Sequence, residues 1–324
     1  MPEFLYPKFE DLKARKTRQG RPQYETWELF PDSSLGRLSL LTPDKILRAK
    51  QLVQTGQVVN LDWTTNKPTG GCFARGSMTH KIHHFPLKDY GVVIDDSFEF
   101  NSQSGSQWDG LWHFAYQETG QFYGGRTIED IIVPEEHRKG GMASWADHGI
   151  IGRGVLLDIY SWYRNHHQGK VYDPFTSHAI TVDDLLSCAN EQGVVFEVGD
   201  ILIIRSGYTL KHDKCDVNEL DKMRENKSFA GVEQSEEMKA FLHDNYFAAV
   251  AGDAPSFEVM PPQKSYFLHE YLLACWGIPI GEFWYLEELA EICEKEQRWD
   301  FMLTSKVLNV PGGIASPPNA MAIF

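Results

Sequence analysis

Hydrophobic and polar positions follow short periods along this chain and predict both helices and strands. The segment TPDKILRAKQLVQTG predicts a helix that Thr42 caps, with Pro43 at its first position and Gly56 after its end. Its apolar residues recur at helical spacing, so we expect one buried face from Ile46, Leu47, Ala49, Leu52 and Val53. A second helix is predicted for TVDDLLSCANEQG, in which Thr181 and Asp184 have the spacing of a capping box.

Further helices and strands are predicted along the rest of the chain. Helices are expected for SEEMKAFLHDN, LHEYLLACWG and LEELAEICEKE. Apolar runs predict strands in VVNLDW, GVVI, the segment from Val155 to Ile159, both halves of VVFEVGDILIIRSG, YFAAVAGD and GIPI. The tail LNVPGGIASPPNAMAIF is expected to be mostly loop. This mixture indicates an α/β or α+β fold, with an N-terminal arm over residues 1–40 and one domain over residues 41–324.

Composition and charge exclude several classes of partner. The 324 residues carry a formal net charge of -14, which repels nucleic-acid phosphates and anionic lipid heads. No apolar run reaches about 18 residues, so no membrane span is predicted. The first residues lack the pattern of a signal peptide, and a cytoplasmic location is therefore expected. The five cysteines form no CxxC pair and are expected to be free thiols.

The segment NSQSGSQWDGLWHFAY concentrates polar side chains that could do chemistry. Gln103, Gln107, Asp109 and His113 all occupy odd positions, so a strand would direct them to one face. Two amides, a carboxylate and an imidazole would then lie along one line. A hydrogen-bonded turn that carries a structural aspartate would give the same pattern.

A second set of candidate residues lies far downstream. Asp253 follows an apolar strand, His269 begins a helix, and Glu282 follows the strand GIPI. Histidine with carboxylates is an ordinary ligand set for zinc, manganese or iron. A salt-bridged helix histidine with a surface glutamate would look the same. Solvated surface positions are expected for seven other histidines, which are His80, His83, His84, His166, His167, His212 and His243.

The chain resembles the cyclase family, the group that contains kynurenine formamidase and isatin hydrolase, from about residue 27 to its end. The matching blocks are LGRLSLLTP, QSGSQWDGLWHF, GRGVLLD, GDILIIRSG, VAGDAPSFE, LHEYLLACWGIPIGE and PGGIASPPNA. The resemblance implies a swivelling β/β/α fold in a single α/β domain, and a homodimer or homotetramer. The N-terminal arm would offer a partner subunit side chains such as Phe4, Leu5, Tyr6 and Phe9, and the alternative is an arm that folds back on its own subunit.

The family pattern His-x-Gly-Thr-His-x-Asp-x-x-x-His gives roles to the central motif. Asp109 matches the metal-binding aspartate and His113 the histidine that transfers protons, while Gln103 and Gln107 replace the two histidine ligands. This chain thus resembles a glutamine-containing branch of the family. Downstream, His269 and Glu282 match later residues of the metal site. An amide oxygen is a weaker zinc ligand than imidazole, so the site has either adapted to a harder ion or lost its metal.

The resemblance implies a metal-dependent hydrolase that acts on a small molecule. One divalent ion, Mn²⁺ or Zn²⁺, would activate water for attack on an amide, lactam or lactone carbonyl, and His113 would act as general acid or base. The metal ligands would be Asp109, His269 and Glu282, with Gln107 and Gln103. The alternative is a metal-free binding protein, or a non-hydrolytic cyclase or isomerase of secondary metabolism.

Substrate-binding residues are harder to assign from the sequence. The candidates are Trp108, Tyr123, Arg153 and Asp253. Strand alternation would, however, direct Trp108 to the face opposite Asp109 and His113. Asp253 could instead have a structural role. Phe73 or Trp284 could also form an aromatic wall. Arg75 and Arg153 are candidates for binding a product carboxylate, with simple surface placement as the alternative.

Overall fold

The protein is built around a nine-stranded mixed β-sheet. The computed structural model describes residues 6–30, 32–87 and 91–324. Within these residues the strands are β1 (Val58–Asn60), β2 (Thr79–Leu87), β3 (Gly91–Glu99), β4 (Gln107–Asp109), β5 (Ile150–Leu157), β6 (Ala179–Ile180), β7 (Ile201–Ile204), β8 (Gly231–Val232), β9 (Ala249–Gly252), β10 (Ile280–Glu282), β11 (Asp300–Ser305), β12 (Ala315–Ser316) and β13 (Ala320–Ile323).

The order of the strands places parallel pairs at the centre of the sheet. The order is β1-β13-β11-β5-β7-β9-β10-β4-β12. Strands β5, β7, β9 and β10 pair in parallel, whereas the flanking pairs are antiparallel. All residues of β7 and β9 are buried, as expected for parallel strands covered on both faces. Strands β2 and β3 form a separate ribbon, and β6 pairs with β8.

Helices cover the sheet and supply its connections. Within the described residues they are α1 (Phe9–Ala14), α2 (Pro43–Ala49), α3 (Ile128–Ile131), α4 (Met142–His148), α5 (Ile159–His166), α6 (Val182–Glu191), α7 (Tyr208–Lys214), α8 (Val217–Asn226), α9 (Glu236–Asp244) and α10 (Glu287–Glu296). Short 3₁₀ turns occupy Gly36–Leu40, Lys50–Leu52, Tyr123–Gly125 and Glu135–His137, and Glu270–Cys275 forms a π-helix. None of the helices in the described part of the chain is long and apolar enough to cross a membrane.

The sequence predicts the cap of α6 correctly, but it does not predict which residues of α2 are buried. Thr181 and Asp184 form the expected capping box at the start of α6. In α2, however, Leu47 is 60% exposed and Ala49 is the one fully buried residue of the helix. The α-helix ends at Ala49, and the chain continues as the 3₁₀ turn Lys50–Leu52. This change of helix type rotates the positions after Ala49 away from the face predicted for one continuous α-helix.

Several strands differ from the prediction. The first half of VVFEVGDILIIRSG, residues 194–198, forms no strand. The run from Val155 continues only to Leu157, because Asp158 caps α5 by accepting from the backbone N–H of Ser161. The tail expected to be loop contains β12 and β13, and β13 pairs with both β1 and β11. These short segments become strands because they meet partners that lie far away in sequence.

The N-terminal segment folds onto its own chain. Phe9 is fully buried in the main core, and its backbone N–H donates to Asp244 of α9 over 2.7 Å. The ring of Tyr6 lies 4.3 Å from that of Tyr246. The expectation that Phe9 contacts a partner subunit is therefore wrong, whereas Phe4 and Leu5 lie outside the described residues. The division into an arm over 1–40 and a domain over 41–324 stays a prediction.

Two histidines expected in solvent are core residues. His212 is 1% exposed, and the ring of Trp63 crosses its ring edge-on at 4.7 Å between centroids. His243 is fully buried between Phe9 and Trp276. Burial lowers the pKa of both histidines to about 4, so each is a neutral packing residue at neutral pH.

Candidate metal centre and its cavity

Two neighbouring strands bring the first polar side chains together. Strand β10 pairs antiparallel with β4, and Glu282 lies directly opposite Gln107. Residues opposite each other across a sheet have side chains on the same face. Asp109 lies two positions after Gln107 and shares that face. The predicted strand is only three residues long, so alternation aligns Gln107 and Asp109 but neither Gln103 nor His113.

Turns on either side of β4 bring the other two residues of the motif into the site. The Nε2 atom of Gln103 donates to Asp109 Oδ1 over 2.6 Å. Beyond the strand, the backbone N–H of Gly110 donates to Ile314, and the chain then turns back at His113. The Nε2 atom of His113 lies 3.9 Å from Asp109 Oδ2. The four residues do converge, though by loop geometry rather than by strand alternation.

Both glutamines meet carboxylates through their amide nitrogens. Gln107 Nε2 donates to Asp109 Oδ1 over 3.0 Å and to Glu282 Oε2 over 2.8 Å. Gln103 Nε2 also donates to Asp109. Amide NH₂ groups are favourable neighbours for two buried carboxylates. The structure therefore brings both glutamines to the site as hydrogen-bond donors, and their role as oxygen ligands stays a prediction.

His269 is oriented by a carboxylate that the sequence did not single out. It precedes the π-helix Glu270–Cys275, a kind of helix that often occurs at functional sites. Glu258 accepts from His269 Nδ1 over 2.7 Å and from its backbone N–H over 3.0 Å. With Nδ1 held, the Nε2 atom is directed at Glu282 Oε1, 3.2 Å away, and at Asp109 Oδ2, 3.9 Å away. This is the arrangement by which a second carboxylate orients a metal-binding histidine.

Asp109, His269 and Glu282 fit a divalent cation. One ligand atom from each lies within 4.8 Å of the others, and all three residues are buried. Asp109 Oδ2 and Gln107 Oε1 are buried oxygens without a hydrogen-bond partner among the described residues. Buried polar atoms are rarely left in this state unless an ion or water satisfies them. The donor set of two carboxylates and one imidazole suits zinc or manganese.

The electrostatics of the cluster favour a bound cation. Burial, and then the charge of Asp109, raise the pKa of Glu282 to about 7. Burial opposes protonation of His269, but its hydrogen bonds to Glu258 and Glu282 outweigh that effect and raise the pKa of His269 above its ordinary value. Two carboxylates placed so close together need a positive charge between them, which either protons or a metal ion can supply.

The site opens into a cavity of about 240 Å³. Its polar floor is formed by His113, His269 and Glu282, together with Ser256. Its walls are mainly apolar, and Arg75 adds a positive charge. The wall residues are Phe73, Phe114, Pro255, Met260 and Phe267. The rings of Phe114 and Phe267 lie 5.4 Å apart and cross edge to face. A small organic molecule with an apolar body would fit such a space.

The residues predicted to bind substrate lie elsewhere, so these four assignments are corrected. Trp108 points to the opposite face of β4, where its Nε1 donates to Ser305. Tyr123 is fully buried, against Gly277. Arg153 pairs with Asp200 and Asp300 and does not line the cavity.

Asp253, the fourth of these residues, is a structural carboxylate. It is fully buried and accepts from the backbone N–H groups of Ser206, Gly207 and Tyr208, as well as from the Ser206 hydroxyl. These bonds hold the start of α7, and they leave neither carboxylate oxygen for a substrate. Of the alternatives, Phe73 and Arg75 do line the cavity, whereas Trp284 packs against Trp108 in the core.

Sequence reasoning missed Glu258 and two of the aromatic wall residues, Phe114 and Phe267. Glu258 is the last residue of the block VAGDAPSFE, which carried the family resemblance, but nothing in its spacing shows that it reaches His269. Phe114 follows His113 directly, but an aromatic side chain at such a position is as typical of core packing as of a cavity wall. A signal was present for Phe114, because it adjoins the motif, but none was present for Phe267.

The sequence of this chain matches a known protein family. A sequence model of the family described as "Putative cyclase" matches residues 34–259, which is more than half of the chain. The chain belongs to this family. A search of the curated proteins finds no match to this cyclase-family chain.

Solved structures share the fold of this cyclase-family protein. The crystal structure of a novel cyclase is 27% identical, with a TM-score of 0.82 over 93% of this chain and 100% of that one. Isatin hydrolase A from Ralstonia solanacearum is 16% identical, with a TM-score of 0.56 over 82% and 91%. An isatin hydrolase bound to the product analogue thioisatinate is 14% identical, with a TM-score of 0.55 over 87% and 95%. The predicted α/β fold of the cyclase type is confirmed.

Proposed function

We propose that this protein is a metal-dependent hydrolase of carbonyl compounds, such as an amide, lactam or lactone. The observation that supports it best is the buried group of Asp109, His269 and Glu282 beneath an apolar cavity. Asp109 Oδ2 has no hydrogen-bond partner there among the described residues, and it lies 3.9 Å from the Nε2 atoms of both His113 and His269. Membership of the cyclase family is consistent with this chemistry.

Asp109, His269 and Glu282 would hold the ion, and Gln107 would add an oxygen if its amide turned. When bound, a divalent ion lowers the pKa of a water molecule and polarises a carbonyl. We propose Mn²⁺ or Zn²⁺, because the set mixes oxygen and nitrogen donors. Glu258 would keep the proton of His269 on Nδ1, so that Nε2 presents its lone pair to the ion.

His113 would move the proton. Its Nε2 lies at the cavity floor, beside Asp109 but outside the group of three ligands. Burial lowers the pKa of His113 and outweighs the opposite effect of Asp109, so the imidazole is neutral at neutral pH. A neutral imidazole can take a proton from water and then donate it to the leaving nitrogen or oxygen. The Asp109 carboxylate would stabilise the imidazolium formed in between.

The aromatic walls suggest a substrate with an aryl or other flat apolar part. Phe114 and Phe267 would contact such a group through their ring faces and edges. Two of the fold relatives are named isatin hydrolases, and we extend to this chain their class of reaction, hydrolysis. A small molecule is the proposed partner, in keeping with a cavity of about 240 Å³.

The test combines metal analysis with a substrate panel. Elemental analysis of the purified protein is expected to find about one divalent ion per chain. Aryl formamides, lactams and lactones are then assayed after chelation and after return of Mn²⁺ or Zn²⁺. Asp109→Asn is expected to lose both metal and activity, and Asp183→Asn, an exposed change of the same charge on α6, is the matched control. Full activity in the chelated protein would refute the proposal.

A second candidate is a metal-free binding protein or a non-hydrolytic cyclase or isomerase. The observation that favours it is the pairing of both glutamine amides with the carboxylates, in the position that histidine ligands take in the family pattern. With such donors the carboxylates are partly satisfied without an ion. This candidate predicts that Gln107→Ala weakens ligand binding and that no added metal changes it.

A further inference from the structure

A left-handed turn brings two side chains to the rim of the cavity. The backbone N–H of Arg75 donates to Cys72 over 2.9 Å and closes a tight turn. The two central residues, Phe73 and Ala74, have φ angles of 49° and 61°. Turns with positive φ at both central positions favour glycine or asparagine, yet this one has a phenylalanine and an alanine. Backbone strain of this kind concentrates at functional sites.

The turn places an arginine in the cavity without a carboxylate partner. Arg75 lines the cavity, and its Nη1 donates to the backbone carbonyl of Gln103 over 3.2 Å. Gln103 in turn donates to the Asp109 carboxylate. The guanidinium is therefore positioned relative to Asp109, His269 and Glu282, the three proposed ligands that we call the metal group. In the described residues, no carboxylate oxygen lies within 4.0 Å of Arg75. By contrast, Arg153 pairs with three carboxylates and Arg205 with two.

The charge of the cavity points to an anionic ligand. If a divalent ion is bound between Asp109 and Glu282, these two carboxylates offset its charge, and no other carboxylate among the described residues that line the cavity is left to pair with Arg75. Among the described residues that line the cavity, Arg75 is the only arginine or lysine. An arginine fork recognises a carboxylate with two parallel hydrogen bonds, and a desolvated setting strengthens them. The strongly acidic protein as a whole would repel such an anion, so a local cation is needed to hold it.

We propose that Arg75 binds a carboxylate that the substrate carries in addition to its reacting carbonyl. The substrate class is then an aryl or similarly apolar molecule that carries an anionic group apart from the carbonyl that reacts. Phe73, Phe114 and Phe267 contact its apolar body, and Arg75 fixes its orientation. The position of the reacting carbonyl rests on the proposed function, whereas recognition of the anion by Arg75 does not.

Binding of non-reacting probes tests the proposal. Isophthalate, which has two carboxylates, and 3-methylbenzoate, which has one, are titrated into the Mn²⁺-supplemented protein by calorimetry. The parent protein is expected to prefer isophthalate, and Arg75→Gln is expected to reduce that preference about 10- to 100-fold, as for the loss of a charge-assisted hydrogen bond. Arg75→Lys keeps the charge without the fork and is expected to retain part of the preference. Arg48→Gln, an exposed change on α2, controls for net charge.

Kinetics separates this inference from the proposed function. With the aryl formamides formanilide and 3-formamidobenzoate, Arg75→Gln is expected to raise KM for the carboxylated formamide alone. If the parent hydrolyses neither formamide but still prefers isophthalate, the hydrolase proposal loses support while the Arg75 inference stands. No preference for isophthalate in the parent, or the same preference in Arg75→Gln, would overturn the inference. Circular dichroism confirms that each variant is folded.

Discussion

Replacement of Glu258 by glutamine would test how the metal group is positioned. Glu258 is fully buried, and each of its carboxylate oxygens accepts two hydrogen bonds. Oε1 accepts from the backbone N–H and the Nδ1 of His269, and Oε2 accepts from Gln234 and from the backbone N–H of Leu268. Glutamine has the same shape, but it replaces one oxygen by an NH₂ group.

The structure sets the expected size of the effect. Whichever oxygen is replaced, two buried donors lose their acceptor and meet another donor. A hydrogen bond to a charged group contributes about 1.5 kcal/mol or more, so Glu258→Gln is expected to lower the free energy of unfolding by about 3 kcal/mol. Loss of the partner that orients a metal-binding histidine typically lowers metal affinity about 10- to 100-fold. We expect both effects, because Glu258 contacts His269, the proposed ligand of the ion, and the backbone before it.

Two measurements are needed. Urea unfolding gives the stability, and Mn²⁺ titration in the absence of urea, where the variant is folded by circular dichroism, gives the metal affinity. Glu237→Gln, an exposed change on α9, is the matched control and should alter neither quantity. A variant that loses stability but binds Mn²⁺ as tightly as the parent would show that Glu258 does not position His269 for a metal ion.

Three further predictions concern catalysis, ligand choice and assembly. His113→Ala is expected to lower turnover about 10²–10⁴-fold with normal metal content, whereas Asp109→Ala loses both; a His113→Ala variant that lost its metal would contradict the role proposed for His113. Gln107→His and Gln103→His are expected to raise affinity for zinc relative to manganese, since imidazole suits zinc, and unchanged metal preferences would remove both glutamines from the ion's ligands. The family resemblance predicts a dimer or tetramer, although Phe9 does not supply the contact; light scattering that gave a mass near 37.0 kDa at every concentration would contradict it.

Local sequence determined much of the secondary structure. Thr181 and Asp184 predict the start of α6 because a capping box satisfies backbone N–H groups within four residues. The apolar runs of β7 and β9 also predict buried strands, because parallel strands that are covered on both faces carry apolar side chains at every position. Where the stabilising contacts are local, or where the apolar pattern is continuous, the sequence alone is enough to predict the helix or strand.

The sequence also identified the candidate metal-binding and proton-transfer residues, because they match a family motif and not because their geometry could be predicted. Asp109, His113, His269 and Glu282 were selected by their match to the family pattern, and the structure brings all four together. Strand alternation predicts that Gln103, Gln107, Asp109 and His113 share one face, but β4 is too short for that explanation. Turns before and after the strand place two of the motif's side chains.

Tertiary structure alone decided which residues surround the metal group. Glu258 contacts His269 across 11 positions of sequence and Arg75 contacts Gln103 across 28, and no periodic pattern encodes either contact. Trp108, Arg153 and Asp253 carry side chains suited to a substrate, yet the fold uses them for hydrogen bonds and ion pairs in its interior. A side chain's chemistry can be read from the sequence, but its partners depend on which distant segments the folded chain brings beside it.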